Sequence, residues 1–414
     1  MNPRRGLAAI AVLVGCMWPA AVNAQETDAE TLDVLQDKGY LVLESEDGAK
    51  WYSINGRIMI DGGIISSSDS ELPNGLETRR ARLAFKAILH NDWAGKLGVD
   101  FAGSEVEVKD FWLAYKGVEN VIFKAGNHKV QNSLDDLTTS KWLTFIERGQ
   151  PNVFTIGRRL GFSASTWGNK WTLVGGIFSE EVGGIFGEDP DAEAEPGEQQ
   201  GWGYVGRATV APVVDDENVV HLGISYSSFT PNAGDDNEVR FSQMPEVHWS
   251  ESMLNTGDVS DVDDYSFLGF EGAVRHGSFS AQGEYVMDTM HRMNGEVDAD
   301  FSGWYGFVSW FPTGDQRTYV AREGEFGQVY PKGKNGAFEL AVRYSHLDLT
   351  DSDADVFGGE GKNLTFGANW YANNNVRIMA NFIVVNNDEF ADGDEELSGD
   401  DDFNVIAIRL QYVF

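Results

Sequence analysis

The sequence predicts an all-β protein, a transmembrane antiparallel up-and-down β-barrel of about sixteen strands with an inward-folded constriction loop. Three observations lead there: apolar and polar residues alternate from residue 51 to the end, tight turns alternate with long acidic loops, and the first residues read as an export signal. The clearest strand is the last, in "DDFNVIAIRLQYVF". Ile406, Ile408, Leu410, Tyr412 and Phe414 share one face, and Val405, Ala407, Arg409, Gln411 and Val413 share the other. A period of two is a strand. A soluble sandwich would bury the apolar face against a second sheet, whereas a membrane barrel turns it to lipid and keeps the other parity for a lumen.

The elements follow in order. Arg4 and Arg5, the apolar run "GLAAIAVLVGCMW" and the small-residue site "VNA" predict a signal peptide over residues 1–24, cleaved after Ala24. A rival cut at "LVGC" would leave Cys16 lipidated. Cys16 is the only cysteine, so the body beyond the signal uses no disulfide and no thiolate metal site. Residues 25–50 are polar and predict a periplasmic N-terminal segment with room for a short helix around Leu32 to Leu35. Removing the signal leaves 29 basic against 65 acidic residues, a balance that excludes nucleic acid as a partner. No later stretch approaches the roughly 18 apolar residues of a spanning helix, so any crossing of a membrane is made by strands.

The barrel, residues 51–414, opens with "WYSINGRIMIDGG", "TRRARLAFKAILH", "WAGKLGVDFAG", "VKDFWLAYKG" and "NVIFKAGNHK". Tight turns stand at "ND", "GVE", "WGNK", "RHG" and "YANNN", where Gly and Asn supply the turn conformations. Long loops stand at "SEEVGGIFGEDPDAEAEPGEQQ", "DLTDSDADVFGGEGK" and "NNDEFADGDEELSGDDD", and their acids are either solvated or hold divalent cations diffusely against the lipid and lipopolysaccharide of an outer surface. Trp93, Tyr115, Trp171, Trp202, Trp370, Tyr371, Tyr412 and Phe414 border turns or the terminus, as an interfacial aromatic girdle requires.

If the apolar parity faces lipid, the other parity lists the lumen's charges. Leu83, Phe85 and Leu89 point out, so Arg80, Arg82 and Lys86 point in. The same logic sends Lys96, Lys124, Arg159, Arg207, Arg343, Arg377 and Arg409 inward. These cations either line a pore and select anions or pair with inner-face acids such as Asp100, Asp110 and Glu339 and brace the wall. A narrowing loop is expected at "HKVQNSLDDLTTSKWLTFIERGQPNVF". Its Trp142, Leu143, Phe145 and Ile146 would be stranded in water on an outer surface, so it folds into the barrel. Thr138, Thr139, Ser140, Lys141 and Arg148 then offer hydroxyl and cationic donors to an oxyanion.

An enzyme finds no support: no GxSxG or HExxH is present, and the seven histidines are scattered. "DSDADVFGGEGK" begins like a calcium loop but has Val356 where the sharp turn needs glycine and Lys362 where the bidentate glutamate belongs. No cofactor and no bound metal are expected.

"TSKWLTFIER", "VVHLGISYS", "GAFELAVRYSHLDL", "GANWYANNNVRIMANF" and the terminal "RLQYVF" closely resemble the phosphate-selective outer-membrane porins, the O and P family, over nearly all of residues 50–414. The resemblance implies a sixteen-stranded homotrimeric barrel in the bacterial outer membrane, each protomer with its own pore and a third loop as constriction. It also implies an anion site at Arg79, Arg80, Asp110, Thr139, Ser140, Arg148 and Arg377. Parity agrees for Arg80 and Arg377 but puts Arg79 on the opposite face, so Arg79 requires a strand start or a bulge there. Two positions depart from the family pattern: Asp136 stands where a lysine precedes the loop hydroxyls, and "NEVRFSQMPEVHW" keeps only Arg240 of an arginine run. Both changes remove positive charge. The expectation is passive diffusion of small inorganic anions, chloride or phosphate-like oxyanions, with a general or cation-preferring diffusion porin as the alternative.

Overall fold

The computed structural model describes residues 33–37, 40–45, 50–66, 69–103, 106–179, 201–231 and 237–414. The signal peptide of residues 1–24, its alternative at Cys16 and the acidic loop over residues 180–200 lie outside the described residues.

Sixteen strands form one antiparallel sheet: β1 (Lys50–Ile65), β2 (Gly75–Leu89), β3 (Trp93–Asp100), β4 (Glu107–Val118), β5 (Val121–Lys129), β6 (Arg158–Trp167), β7 (Trp171–Phe178), β8 (Gly203–Val214), β9 (Asn218–Phe229), β10 (Val262–His276), β11 (Phe279–Arg292), β12 (Ala299–Trp310), β13 (Ala337–Asp351), β14 (Val356–Tyr371), β15 (Val376–Asn387) and β16 (Phe403–Val413). Each pairs with its neighbours in sequence, and β16 returns to β1 with Val405 opposite Ile65 and Val413 opposite Arg57. Closure leaves no edge along the spanning wall, the condition for a sheet in lipid. The terminal strand behaves as its alternation requires: Ile406, Ile408, Leu410 and Tyr412 are exposed, whereas Val405, Ala407, Arg409 and Gln411 are buried. Trp93, Trp171, Trp202, Trp370 and Tyr412 are exposed at strand ends, and the Tyr115 ring lies 5.0 Å from Trp93. Tyr371 does not join this girdle. Next to outward Trp370, it takes the inward parity and donates its hydroxyl to Glu339 at 2.7 Å.

The N-terminal segment differs from its expected helix. Asp33–Asp37 pairs with Tyr40–Glu44 as a hairpin, and the second strand adds to β1 with Leu41 opposite Ile54 and Glu44 opposite Trp51. β1 extends beyond the last residue of β16, and its free edge overrides local helix propensity.

Short turns close one end of the barrel, with left-handed residues at His90, Asn91, Asn120 and Gly277. The acidic stretch 348–362 is not a long loop, because β13 and β14 run through it and leave only residues 352–355 as a turn. One connection on the short-turn side breaks the rhythm. Residues 311–336 carry a hairpin, Arg317–Val320 with Glu325–Val329, that packs inside the barrel.

The lumen is filled unevenly. Along β10 to β16 two apolar clusters occupy it, built from wall residues such as Phe267, Val286, Met379 and Val405 and from loop residues Ile146, Phe154, Val247, Met253 and Leu254. The remaining space lies along β1 to β8.

Candidate functional site

The loop over residues 130–157 folds inward and buries Leu143, Phe145 and Ile146, as their hydrophobicity demands. Wall arginines satisfy three of its backbone carbonyls. Arg377 donates to Leu143 O at 2.6 Å, Arg343 to Glu147 O at 2.9 Å and Arg409 to Ile146 O at 2.6 Å. The short helix Leu134–Leu137 is held from outside: Glu284 accepts from the amides of Leu134 and Asp135, both at 2.8 Å, and from the Tyr305 hydroxyl at 2.8 Å. Arg148 closes the loop on itself through the carbonyls of Asp135, Asp136 and Thr138.

Two residues expected to line the pore are therefore placed elsewhere. Arg343 and Arg377 point inward as parity requires, but the loop lies over them and leaves them 3 % and 2 % exposed. Arg343 is further held by Glu246 at 2.5 Å, and Arg377 lies 3.8 Å from Glu339. Both brace the loop from behind.

Between the loop and the wall lies a polar cavity of about 510 Å³. Among the described residues its lining holds twelve lysines and arginines against four carboxylates, in a chain of net charge -34. Arg80, Arg82, Lys86, Arg148 and Arg207 are there, with Asp110, Thr139 and Ser140. Arg159 is not, since its guanidinium turns back on the Arg158 carbonyl and Arg158 takes the lumenal place. Arg207 is only 2 % exposed, bound to Glu271 at 2.6 Å and to the Glu323 and Gly324 carbonyls of the tucked connection.

Arg79 enters through a bulge. Met59 faces Arg80 while Ile60 faces Thr78, so Arg79 is the extra residue and can turn to the loop. Arg79, Arg80 and Arg409 converge on Glu147 at 2.9, 3.2 and 2.6 Å. Burial alone would raise the pKa of Glu147, but Arg80, Arg79 and Arg409 together hold it well below the usual carboxylate range. Much of the Arg79 and Arg80 charge is thereby spent on the loop. Arg82 pairs with Asp100 at 2.6 Å, and Asp110 takes Lys96 at 2.9 Å and Arg158 at 3.3 Å. Asp136 is compensated in turn, 3.1 Å from Lys129 and 3.7 Å from Arg148.

Other cations are engaged without carboxylates. Arg57 donates to the hydroxyls of Thr139 at 3.2 Å and Ser140 at 2.5 Å, Lys86 lies over the Trp51 ring and Lys124 over the Trp112 ring. Arg57 was within reach of sequence reasoning, because outward Ile58 and Ile60 put it on the inner parity. Lys129 and Arg158 were not: each ends a strand, where alternation no longer dictates direction. Glu147 and Glu246 lie within stretches of family likeness and Glu284 within a strand, but only the folded loop reveals the three as anchors.

A closed barrel with an apolar exterior and a polar lumenal cavity of basic lining defines the class of barrel that spans an outer membrane. The chain belongs to the phosphate-selective porin O and P family, which it matches over residues 53–414. It is similar to Porin O of Pseudomonas aeruginosa, 24 % identical over 442 residues that cover 99 % of this chain and 98 % of that protein. It is also 29 % identical over 379 residues to an uncharacterized protein of Caulobacter vibrioides, covering 89 % of this chain and 75 % of the relative. Among solved structures, OmpT of Vibrio cholerae in its trimer form superposes with a TM-score of 0.56 at 10 % identity, over 88 % of this chain and all of that one. The anion-selective porin from Comamonas acidovorans gives 0.55 at 11 % identity with the same coverage. The protein is thus an outer-membrane porin, and the expected barrel and family both hold.

Proposed function

We propose that this porin passes small inorganic anions, chloride and phosphate-like oxyanions, by passive diffusion with weak selectivity and little phosphate block. The observation that carries the reading is the cavity lining, basic by twelve residues to four inside a strongly acidic chain. The acids of outer loops are screened within about 8 Å at physiological salt, whereas wall charges act on a partly dehydrated ion in a narrow space. Weak phosphate block follows from Asp136 and from Glu147, which absorb cationic charge that a multivalent oxyanion would need.

The working unit is a homotrimer with one pore per protomer, a reading supported by family membership and by the trimer form of the Vibrio cholerae neighbour. Residues 1–24 act as the export signal and 25–50 stay on the periplasmic side, with the acidic loops facing lipopolysaccharide. The protein works without a cofactor and is no enzyme. In planar bilayers the purified protein should conduct chloride without additions, and phosphate should inhibit that current only shallowly. A barrel closed at all voltages, or nearly complete block by phosphate, would overturn the proposal.

A further inference from the structure

A membrane barrel keeps its tryptophans at the outer rims and polar side chains along its lumen. On this barrel's wall three tryptophans face inward instead. Trp112 stands between outward Phe111 and Leu113, which are 62 % and 54 % exposed, and it lines the cavity together with Trp167. Trp51 has the parity opposite to exposed Ile54 and lies against inward Lys86.

The strand register shows what surrounds these rings. Trp51 of β1 pairs with Ile88 of β2, Ile88 with Ala94 of β3, and Ala94 with Ala114 of β4. Ile88, Ala94 and Ala114 all line the cavity, an apolar strip about 10 Å long across three strands. Two residues further along the same strands, Lys86 pairs with Lys96 and Lys96 with Trp112. The strip itself runs on into Lys124 of β5, the partner of Ala114. Lys96 is committed to Asp110 at 2.9 Å, whereas the Lys124 ammonium rests 5.0 Å from the centre of the Trp112 ring and that of Lys86 5.6 Å from Trp51.

From this juxtaposition we infer that the turn-side wall of the cavity is a binding site for aromatic carboxylates, anions with a flat apolar body. A hydrated inorganic ion gains nothing from Ile88, Ala94, Ala114 or an indole, and leaving them in a water-filled passage is unfavourable. An ammonium seated on a ring keeps its charge and its donors. A carboxylate draws Lys124 or Lys86 off its indole, and the ring of the same ligand takes the vacated face or the adjoining strip. The contact given up is a weak one at a half-exposed site, and it is replaced by an ion pair together with burial of two apolar surfaces.

The site rests on reading the cavity as the ion path, and one titration separates the two claims. In planar bilayers the full-length trimer conducts in potassium chloride while acetate, cyclohexanecarboxylate or 1-naphthoate is added. Naphthoate should halve the current at a concentration about tenfold below that of acetate, with cyclohexanecarboxylate between them. Trp112→Ala should bring naphthoate to within about twofold of acetate, Trp112→Phe should keep most of the preference, and Lys124→Gln should weaken every carboxylate. Equal half-blocking concentrations for naphthoate and acetate in the unmodified channel would overturn the site without any variant having to assemble. A preference that survives Trp112→Ala would overturn it as well. A channel whose zero-current potential has the sign of potassium, yet whose naphthoate preference depends on Trp112, would support the site while removing the anion reading.

Discussion

Asp136→Asn gives a quantitative handle on the constriction. The carboxylate is 5 % exposed, lines the cavity beside Thr139 and Ser140, and lies 3.1 Å from Lys129 and 3.7 Å from Arg148. An anion held by those hydroxyls feels Asp136 as a fixed like charge. At a separation of about 8 Å and an effective dielectric of about 20, two unit charges interact by about 2 kcal/mol. Screening at physiological salt reduces this to roughly 1 kcal/mol. Removing the charge should therefore tighten a monovalent anion by about fivefold and a divalent phosphate, at roughly twice the energy, by about thirtyfold. The amide retains the side chain's size, whereas lysine here would set a second ammonium against Lys129. The assay is the phosphate concentration that halves the chloride current in planar bilayers. An unchanged or increased concentration in an assembled Asp136→Asn channel would refute the electrostatic reasoning.

Three further outcomes follow from the same contacts. Deleting Phe414 should lower the yield of heat-modifiable trimer, because its backbone closes the barrel against Gly56 in both directions and its ring stacks 5.8 Å from Tyr412; normal trimer in outer-membrane fractions would count against this. Arg57→Ala should shift the reversal potential toward cations, while Arg377→Ala should leave it nearly unchanged and instead raise open-channel noise by loosening the loop; equal shifts in both variants would contradict the placement of Arg377 behind the loop. Glu284→Ala should likewise increase noise, since two loop amides and Tyr305 lose their acceptor, an unpaired buried group costing about 1–3 kcal/mol each; recordings as quiet as those of the unmodified channel would show that the helix is held by other contacts.

The wall of the barrel is legible in the sequence because a strand's side-chain period is two and lipid enforces it. Ile406 to Tyr412 read directly as an outer face, and the outward parity of Leu83 and Phe85 puts Arg82 and Lys86 on the face that lines the cavity. Alternation gives only direction, however, and the inner face has depth. Arg343, Arg377 and Arg409 share the parity of Lys86, but a loop distant in sequence lies over them and turns them into anchors. Arg79 could be assigned only conditionally, since a bulge is set by the pairing of β1 with β2 and not by either strand alone. The tucked connection was missed for a related reason. "RTYV" and "EFGQV" alternate like barrel strands, and nothing local separates a hairpin inside a barrel from one in its wall.

The most direct test of the proposed function is the zero-current potential of the unmodified channel across a planar bilayer in a potassium chloride gradient. A pore governed by its basic lining gives a modest potential of the sign set by chloride. A potential of the sign set by potassium would show that the acidic loops govern permeation and would replace the anion reading with a cation-preferring diffusion porin.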